Sequence, residues 1–243
     1  MSQQTPLIST LNVWAIIPAA GSGSRFSKTE LKQYQQIGDK TVLEHTVSRL
    51  VQLPVKGVVL AIGEHDDVAR SLHFDQQAKV HFCQGGQERV NSVLNALSYV
   101  SDFANEDDWV FVHDAARPCV TLDALVSLWQ HVEHTQQPAI LATPVRDTLK
   151  SVPSNQTIEK TVDRTCLWQA QTPQMARLGD LKRAIEIALA EQAVITDEAS
   201  ALEFVGQHVD VVMGRADNIK ITYPEDLGLA QLILAAQSEA LKK

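Results

Sequence analysis

The chain has 243 residues, 44% hydrophobic and 21% charged, which supplies a sizeable core and excludes wholesale disorder. Its 21 Lys and Arg against 29 Asp and Glu leave a net charge of -8, which argues against a protein held to nucleic acid or acidic lipid by bulk charge. An anionic ligand would need basic residues gathered locally against this average.

There are three cysteines, Cys83, Cys119 and Cys166, with no Cys-x-x-Cys pair. A disulfide framework and a structural zinc site are therefore not expected, and a reducing compartment fits. No apolar run approaches the roughly 20 residues of a membrane span. The polar start from Met1 to Asn12 lacks the layout of a signal peptide. A soluble cytoplasmic protein is expected, with one large domain over residues 1–243.

Strand-like and helix-like runs alternate along the chain. Residues 13–18 (VWAIIP) form a short apolar run that leads at once into glycines. Residues 41–51 carry Val42, Leu43, Val47, Leu50 and Val51 as a helical stripe. Residues 55–62 (VKGVVLAI) read as a strand covered on both faces. A shorter strand is expected over 79–83, and a helix over 89–100 with Val90, Val93, Leu94, Leu97 and Val100 on one side. Residues 109–113 (WVFVH) predict a buried strand, 122–132 a helix, 139–143 a strand and 180–191 a helix. A strand over 209–213 and a helix over 224–241, with Pro224 at its start, complete the series.

Such alternation predicts βαβ units and a mostly parallel sheet. One stretch breaks it. Residues 146–163 are polar, hold Pro153, Ser154 and Asn155 near the middle, and have β-favouring flanks. They predict a hairpin arm.

Ligands of parallel sheets sit beyond the carboxyl ends of the strands, so the loops after Pro18, Cys83, His113 and Met213 carry the candidates. The first loop, Pro18 to Phe26 (PAAGSGSRF), offers small residues for close approach to a phosphate. Phe26 replaces the third glycine of a dinucleotide fingerprint, and no Gly-Lys-Ser/Thr follows as in a P-loop. Arg25 and Lys32 instead suggest two cations on a polyphosphate; the plainer alternative is a tight turn with solvated basic residues. In the second loop, Gly85 and Gly86 either simply make the turn or let backbone approach a base or ribose, with Ser92 able to donate to a ring carbonyl.

After WVFVH, Asp114 suits a metal that bridges phosphates; its alternative is a cap or turn residue. His113 reads better as a core histidine than as a ligand. The segment 214–220 brings Asp217 and Lys220 to the same edge, so that two carboxylates and a set of cations are available for phosphoryl chemistry. Thr196 heads a good N-cap signature.

The strings PAAGSGSRF, KQY, GGQERVNSV, VHDAARPCV, PVRDTLK, TVDRT, QTPQ, TDEASALE and GRADNIKIT, in this order and spacing, closely resemble those of the 2-C-methyl-D-erythritol 4-phosphate cytidylyltransferases of the non-mevalonate isoprenoid pathway. The resemblance runs from about Val13 to Leu232. It implies a Rossmann-like α/β three-layer sandwich of the nucleotide-diphospho-sugar transferase type, with a dimerisation arm at about 146–163.

It also implies transfer of the cytidylyl group of CTP to 2-C-methyl-D-erythritol 4-phosphate, with Mg²⁺ and release of diphosphate, in a homodimer. By matched positions, Ala19, Ala20, Gly21, Gly23, Gly86, Ser92 and Ala115 would bind CTP, and Arg25, Lys32 and Lys220 would act on the phosphates. Arg117, Thr148, Arg164, Thr172 and Thr196 would bind the sugar-alcohol phosphate, with Thr148 and Arg164 crossing to the partner subunit. Asp114 and Asp217 would hold the metal. Leu31 stands where the family commonly has proline. The length matches the single-function form, so no second enzyme domain is expected. A related sugar- or alditol-phosphate cytidylyltransferase is the main rival reading; a nicotinamide-dependent dehydrogenase is disfavoured by Phe26, and a non-catalytic nucleotide-binding module by the acids and cations.

Overall fold

The computed structural model describes residues 9–21, 26–27 and 31–240. Its strands are β1 (Val13–Pro18), β2 (Gln36–Ile37), β3 (Lys40–Thr41), β4 (Val58–Ile62), β5 (Val80–Gln84), β6 (Trp109–Val112), β7 (Ala139–Pro144), β8 (Leu149–Ser151), β9 (Lys160–Val162), β10 (Trp168–Arg177) and β11 (Asp210–Met213). Its α-helices are α1 (Val42–Leu50), α2 (Asp67–Ser71), α3 (Arg89–Ser101), α4 (Leu122–Thr135), α5 (Leu178–Ala190), α6 (Glu198–Phe204) and α7 (Asp226–Ala240).

Seven strands form one sheet in the order β11-β7-β10-β6-β1-β4-β5. All neighbours are parallel except β10, which runs antiparallel to both β6 and β7. From β1 the chain builds outward through β4 and β5, then returns across β1 to add β6 on its other side. The topological switch point therefore lies between β1 and β6, where a ligand crevice is expected beyond the carboxyl ends.

The two-residue period of each strand sorts its side chains between two helical layers. Val13, Ala15 and Ile17 of β1 pack with Leu43 and Val47 of α1 and Leu125, Leu128 and Trp129 of α4. Ile16 turns the other way, into Val93 and Leu97 of α3 and Leu181 and Ile185 of α5. Every residue of β4 is buried, as a strand covered on both faces requires. Burying one such aliphatic side chain stabilises the fold by about 1.5–3 kcal/mol, so these two clusters hold the sheet between its helices.

The expected elements are present, with shifted ends. The strand expected from 55 begins at Val58, and the helix expected from 180 begins at Leu178. The last helix begins at Asp226 rather than Pro224, because the Asp226 carboxylate accepts the backbone N–H groups of Thr222 (2.7 Å) and Tyr223 (2.8 Å) and closes the turn ahead of it. The hairpin expected over 146–163 exists as the β8–β9 pair, with Leu149 opposite Val162 and Ser151 opposite Lys160.

Five elements lie outside that reading: β2, β3, α2, α6 and β10. The last is a ten-residue strand in the middle of the sheet. Its Pro173 and three glutamines argue against a central strand. The proline is accommodated where the pairing with β7 shifts register between Ala170 and Gln174. Among the described residues no helix is long and apolar enough to cross a membrane, and Cys83, Cys119 and Cys166 are unpaired.

Candidate active site

A cleft opens at the switch point, lined by Ala19 and Gly21 after β1, Lys32, Arg89, Asp114 and Ala115 after β6, and Lys220, among others. Its entrance turn follows from residues 31–35. Leu31 takes φ -84°, within about 20° of the value a proline ring would impose. A short 3-10 turn at Lys32–Tyr34 follows. Gln33, 3% exposed, donates to the Ala19 carbonyl at 2.9 Å and ties this turn to the loop after β1. Tyr34 donates to the Asp66 carboxylate, which also caps α2 through the Ala69 N–H. Lys32 is thereby held at the cleft, where its Nζ donates to the Ile221 carbonyl at 3.0 Å.

Asp114 is the electrostatic centre. Its Oδ1 lies 2.9 Å from Arg89 Nε, and its Oδ2 lies 2.7 Å from Lys220 Nζ and 3.6 Å from Arg117 Nε. Burial alone would raise the pKa of this carboxyl. Arg89, Lys220 and Arg117 overrule that and hold it well below the ordinary carboxylate range. Arg89 also forks onto Glu198, with Nη1 to Oε1 at 2.7 Å and Nη2 to Oε2 at 3.1 Å. Burial pushes the Glu198 carboxyl up, and the Arg89 charge opposes it. Arg89, Arg117, Lys220 and Lys32 thus face two carboxylates here, a local positive excess on a chain of net charge -8. Such a surface suits a polyanion.

The loop after β6 is stitched to the segment before α7. Arg117 Nη1 donates to the Asn218 carbonyl at 2.7 Å, and the Ile221 N–H donates to the Ala116 carbonyl at 2.9 Å. Beneath it, the Thr172 hydroxyl accepts the Asp114 N–H at 3.0 Å and donates to His113 Nδ1 at 2.9 Å. His113 Nε2–H then donates to the Arg117 carbonyl at 3.1 Å. These are the roles of the neutral imidazole, whose Nε2–H must face the carbonyl and whose Nδ1 then accepts. Burial, the largest cause, lowers the His113 pKa to about 4. His113 is a core histidine, as its position in the strand predicted, and Thr172 supports the loop from below.

The glycine pair after β5 is shaped by close approach. A Cβ on Gly85 would sit 2.3 Å from the Ala20 Cβ, and one on Gly86 would sit 2.3 Å from the Asn91 Cβ; only glycine fits either place. Ser92, 2% exposed, accepts the Gly86 N–H at 3.0 Å and donates to the Glu88 carbonyl at 3.2 Å. Its hydroxyl shapes the loop, where the sequence reading had it donate to a base.

Other expected site residues stand elsewhere. Arg25 and Gly23 lie outside the described residues. Thr148 and Arg164 are exposed near the β8–β9 pair and do not line the cleft. Thr196 is exposed, and the N-cap of α6 is Asp197, whose carboxylate accepts the Ser200 N–H at 2.9 Å.

Asp217 is engaged by Arg215 through two contacts of 2.8 Å and faces Gln237 of α7. Among the described residues it shares no partner with Asp114. Among the described residues each of the two carboxylates expected to hold the metal is engaged by its own cations, Asp114 by Arg89 and Lys220 and Asp217 by Arg215. No group of three or more metal-ligating side chains occurs among the described residues. This donor set does not fit a resident divalent cation held by protein groups alone.

Arg89, Glu198 and Gln33 were not among the expected residues. Arg89 sits in the GGQER string, and its charge at the head of an apolar-striped helix was the available signal. Glu198 looked like any acid in a first helical turn. Gln33 lies in the KQY string, but nothing local marks its donation to the Ala19 carbonyl.

The family model described as IspD, 2-C-methyl-D-erythritol 4-phosphate cytidylyltransferase, matches residues 13–236. A relative of that name from Acinetobacter baumannii (strain SDF) is 65% identical over 230 residues, covering 95% of this chain and 97% of the relative. One from Vibrio vulnificus (strain YJ016) is 46% identical over 226 residues, covering 93% and 95%. The crystal structure of the Francisella tularensis enzyme of the same name superposes with a TM-score of 0.79 at 40% identity, over 91% of this chain and 99% of that one. The strings along the sequence, the sheet with its cleft at the switch point and these matches agree: the chain belongs to the 2-C-methyl-D-erythritol 4-phosphate cytidylyltransferase family.

Proposed function

We propose that the protein transfers the cytidylyl group of CTP to 2-C-methyl-D-erythritol 4-phosphate, releasing diphosphate, as a step of isoprenoid precursor synthesis in the cytoplasm. Family membership supports the reaction. The observation that carries it to this cleft is the convergence of Lys32 and Lys220 beside the switch point, one on the Ile221 carbonyl and the other on Asp114.

The acceptor phosphate is an anion at neutral pH, so no general base is required. One of its oxygens forms a bond to the α-phosphorus of CTP, the bond from that phosphorus to the bridging oxygen breaks, and diphosphate leaves. The protein's contribution is positioning and neutralisation of the charge that develops on the phosphoryl oxygens. Lys32, Lys220 and Arg25 supply it. Ala19, Ala20, Gly21, Gly23 and Gly86 are assigned to CTP, and Ala115 to its ribose. Mg²⁺ enters with the triphosphate as part of the substrate.

Arg117, Thr172 and Thr196 are assigned to the acceptor phosphate. Thr148 and Arg164 reach the acceptor site of the partner subunit in a homodimer. The exposed apolar side chains Val152 (50%), Ile158 (59%) and Trp168 (43%) on and beside the β8–β9 pair support such a cover. Diphosphate release is measured with CTP against other nucleoside triphosphates, and with the erythritol phosphate against ribitol and sugar phosphates. Faster release with another acceptor would replace this reading with that of a related cytidylyltransferase.

A further inference from the structure

We propose that Glu198 is a positioning residue for the transfer: through Arg89 it fixes the carboxylate of Asp114, and with it the ammonium of Lys220 in the cleft. The four groups form a chain of alternating charge from α6 to the cleft, with successive contacts of 2.7, 2.9 and 2.7 Å.

Glu198 is 3% exposed. A buried carboxylate is costly, and well-packed apolar residues in place of a buried ion pair are often neutral or stabilising. Core packing therefore gives no reason for a glutamate at this place. Its carboxylate takes both terminal nitrogens of Arg89. Only Nε remains directed at Asp114, and it takes only Oδ1. Oδ2 is left to Lys220 at 2.7 Å, with Arg117 Nε farther off at 3.6 Å. The fork on Glu198 thus prevents Arg89 from gripping both oxygens of Asp114, which is the geometry a guanidinium prefers with a carboxylate.

The platform beneath is held from the neighbouring strand. Gln174 of β10 donates to Asp197 Oδ2 at 2.9 Å and accepts the Ala199 N–H at 2.8 Å, one residue to each side of Glu198. Gln174 pairs with Val112 of β6, two residues before Asp114. One strand therefore sets the position of both ends of the chain of charges. Neutralising Glu198 releases the terminal nitrogens of Arg89, which turn onto Asp114 and compete with Lys220.

The inference rests on the role given to Lys220 in the proposed reaction. It is tested in the full-length protein by steady-state diphosphate release from CTP and 2-C-methyl-D-erythritol 4-phosphate, wild type beside Glu198→Gln. Rates are expressed per folded molecule, as measured by circular dichroism. The expected result is a kcat at least tenfold lower with the KM for CTP within about twofold of wild type, because Lys220 is displaced from the transition state while the nucleotide loop is intact. A kcat within twofold of wild type overturns the proposal. So does a loss in which KM rises as much as kcat falls, since a general loosening of the cleft would do that. Should Glu198→Gln fail to fold, Glu198→Asp keeps the charge, withdraws it by one methylene, and is read by the same two criteria. No release by the wild type overturns the assigned reaction and this proposal with it; release by the wild type with an unchanged variant overturns this proposal alone.

Discussion

Lys220 Nζ stands 2.7 Å from Oδ2 of Asp114, and this ion pair joins the segment before α7 to the loop at the switch point of the sheet. The ammonium is held at the edge of the cleft, 36% exposed, on a carboxylate that is 9% exposed. A cation fixed in advance costs no reorganisation when charge develops on a phosphoryl oxygen.

Lys220→Met removes that cation and keeps most of the stem. Turnover should fall about 10²–10³-fold, the range found when one preorganised donor is removed. Lys32→Met should fall by a similar factor. Diphosphate release at saturating CTP is the measurement, with circular dichroism to establish folding. Near-normal turnover in both variants would take these lysines out of the mechanism.

Asp114→Asn keeps the shape and removes the charge that Arg89, Arg117 and Lys220 share. The expected cost is about 3–5 kcal/mol in urea unfolding, as for a buried ion pair stripped of one partner. Turnover should be lost as well, because Lys220 is no longer anchored. The Mg²⁺ concentration giving half-maximal rate in the residual activity should not move. A clear rise in that midpoint would put the metal on Asp114.

His113 titrates between about 4 in the folded chain and 6.5 when unfolded, because burial favours the neutral ring. A lowered pKa on a base means that its stabilising effect is complete above 6.5 and is lost as the pH falls toward 4. Wild type should therefore lose about 2 kcal/mol of stability from this group between pH 7.5 and pH 5. His113→Gln, which can still donate to the Arg117 carbonyl, should show a flatter profile over the same window. Urea midpoints at the two pH values decide it, and parallel losses in both proteins would refute the assignment.

Arg164 and Lys220 should belong to complementary halves of a shared site. Arg164→Ala and Lys220→Ala chains, each poorly active alone, should regain part of the activity when unfolded together and refolded as mixed dimers. Mixtures that stay as inactive as the parents would place Arg164 outside the neighbour's cleft.

The strands and helices of the parallel half were legible because each carries its own periodicity. β1 and β4 are continuous apolar runs, and α1, α3 and α4 place buried residues on one stripe. β10 was not legible, because its buried polar residues are satisfied by groups remote in sequence. Gln171 donates to the Arg215 carbonyl, and Gln174 to Asp197. A local pattern cannot announce a partner that lies 44 residues away.

The same division runs through the site. The small residues after β1, the cations Lys32 and Lys220 and the acid Asp114 were nameable from their strings, since phosphate chemistry needs those residue types beyond strand ends. Which acid meets which cation was not. Asp217 lies two residues from Arg215 and pairs with it, whereas Asp114 draws Lys220 from 106 positions down the chain and Arg89 from α3. Residue type and order determined the layered fold, the family and the position of the cleft along the chain. The ion pairing within the cleft, and the buried Glu198 behind it, were decided only by the tertiary structure. Electrostatic partners are selected by distance and burial in space, and neither quantity is written in the spacing of a sequence.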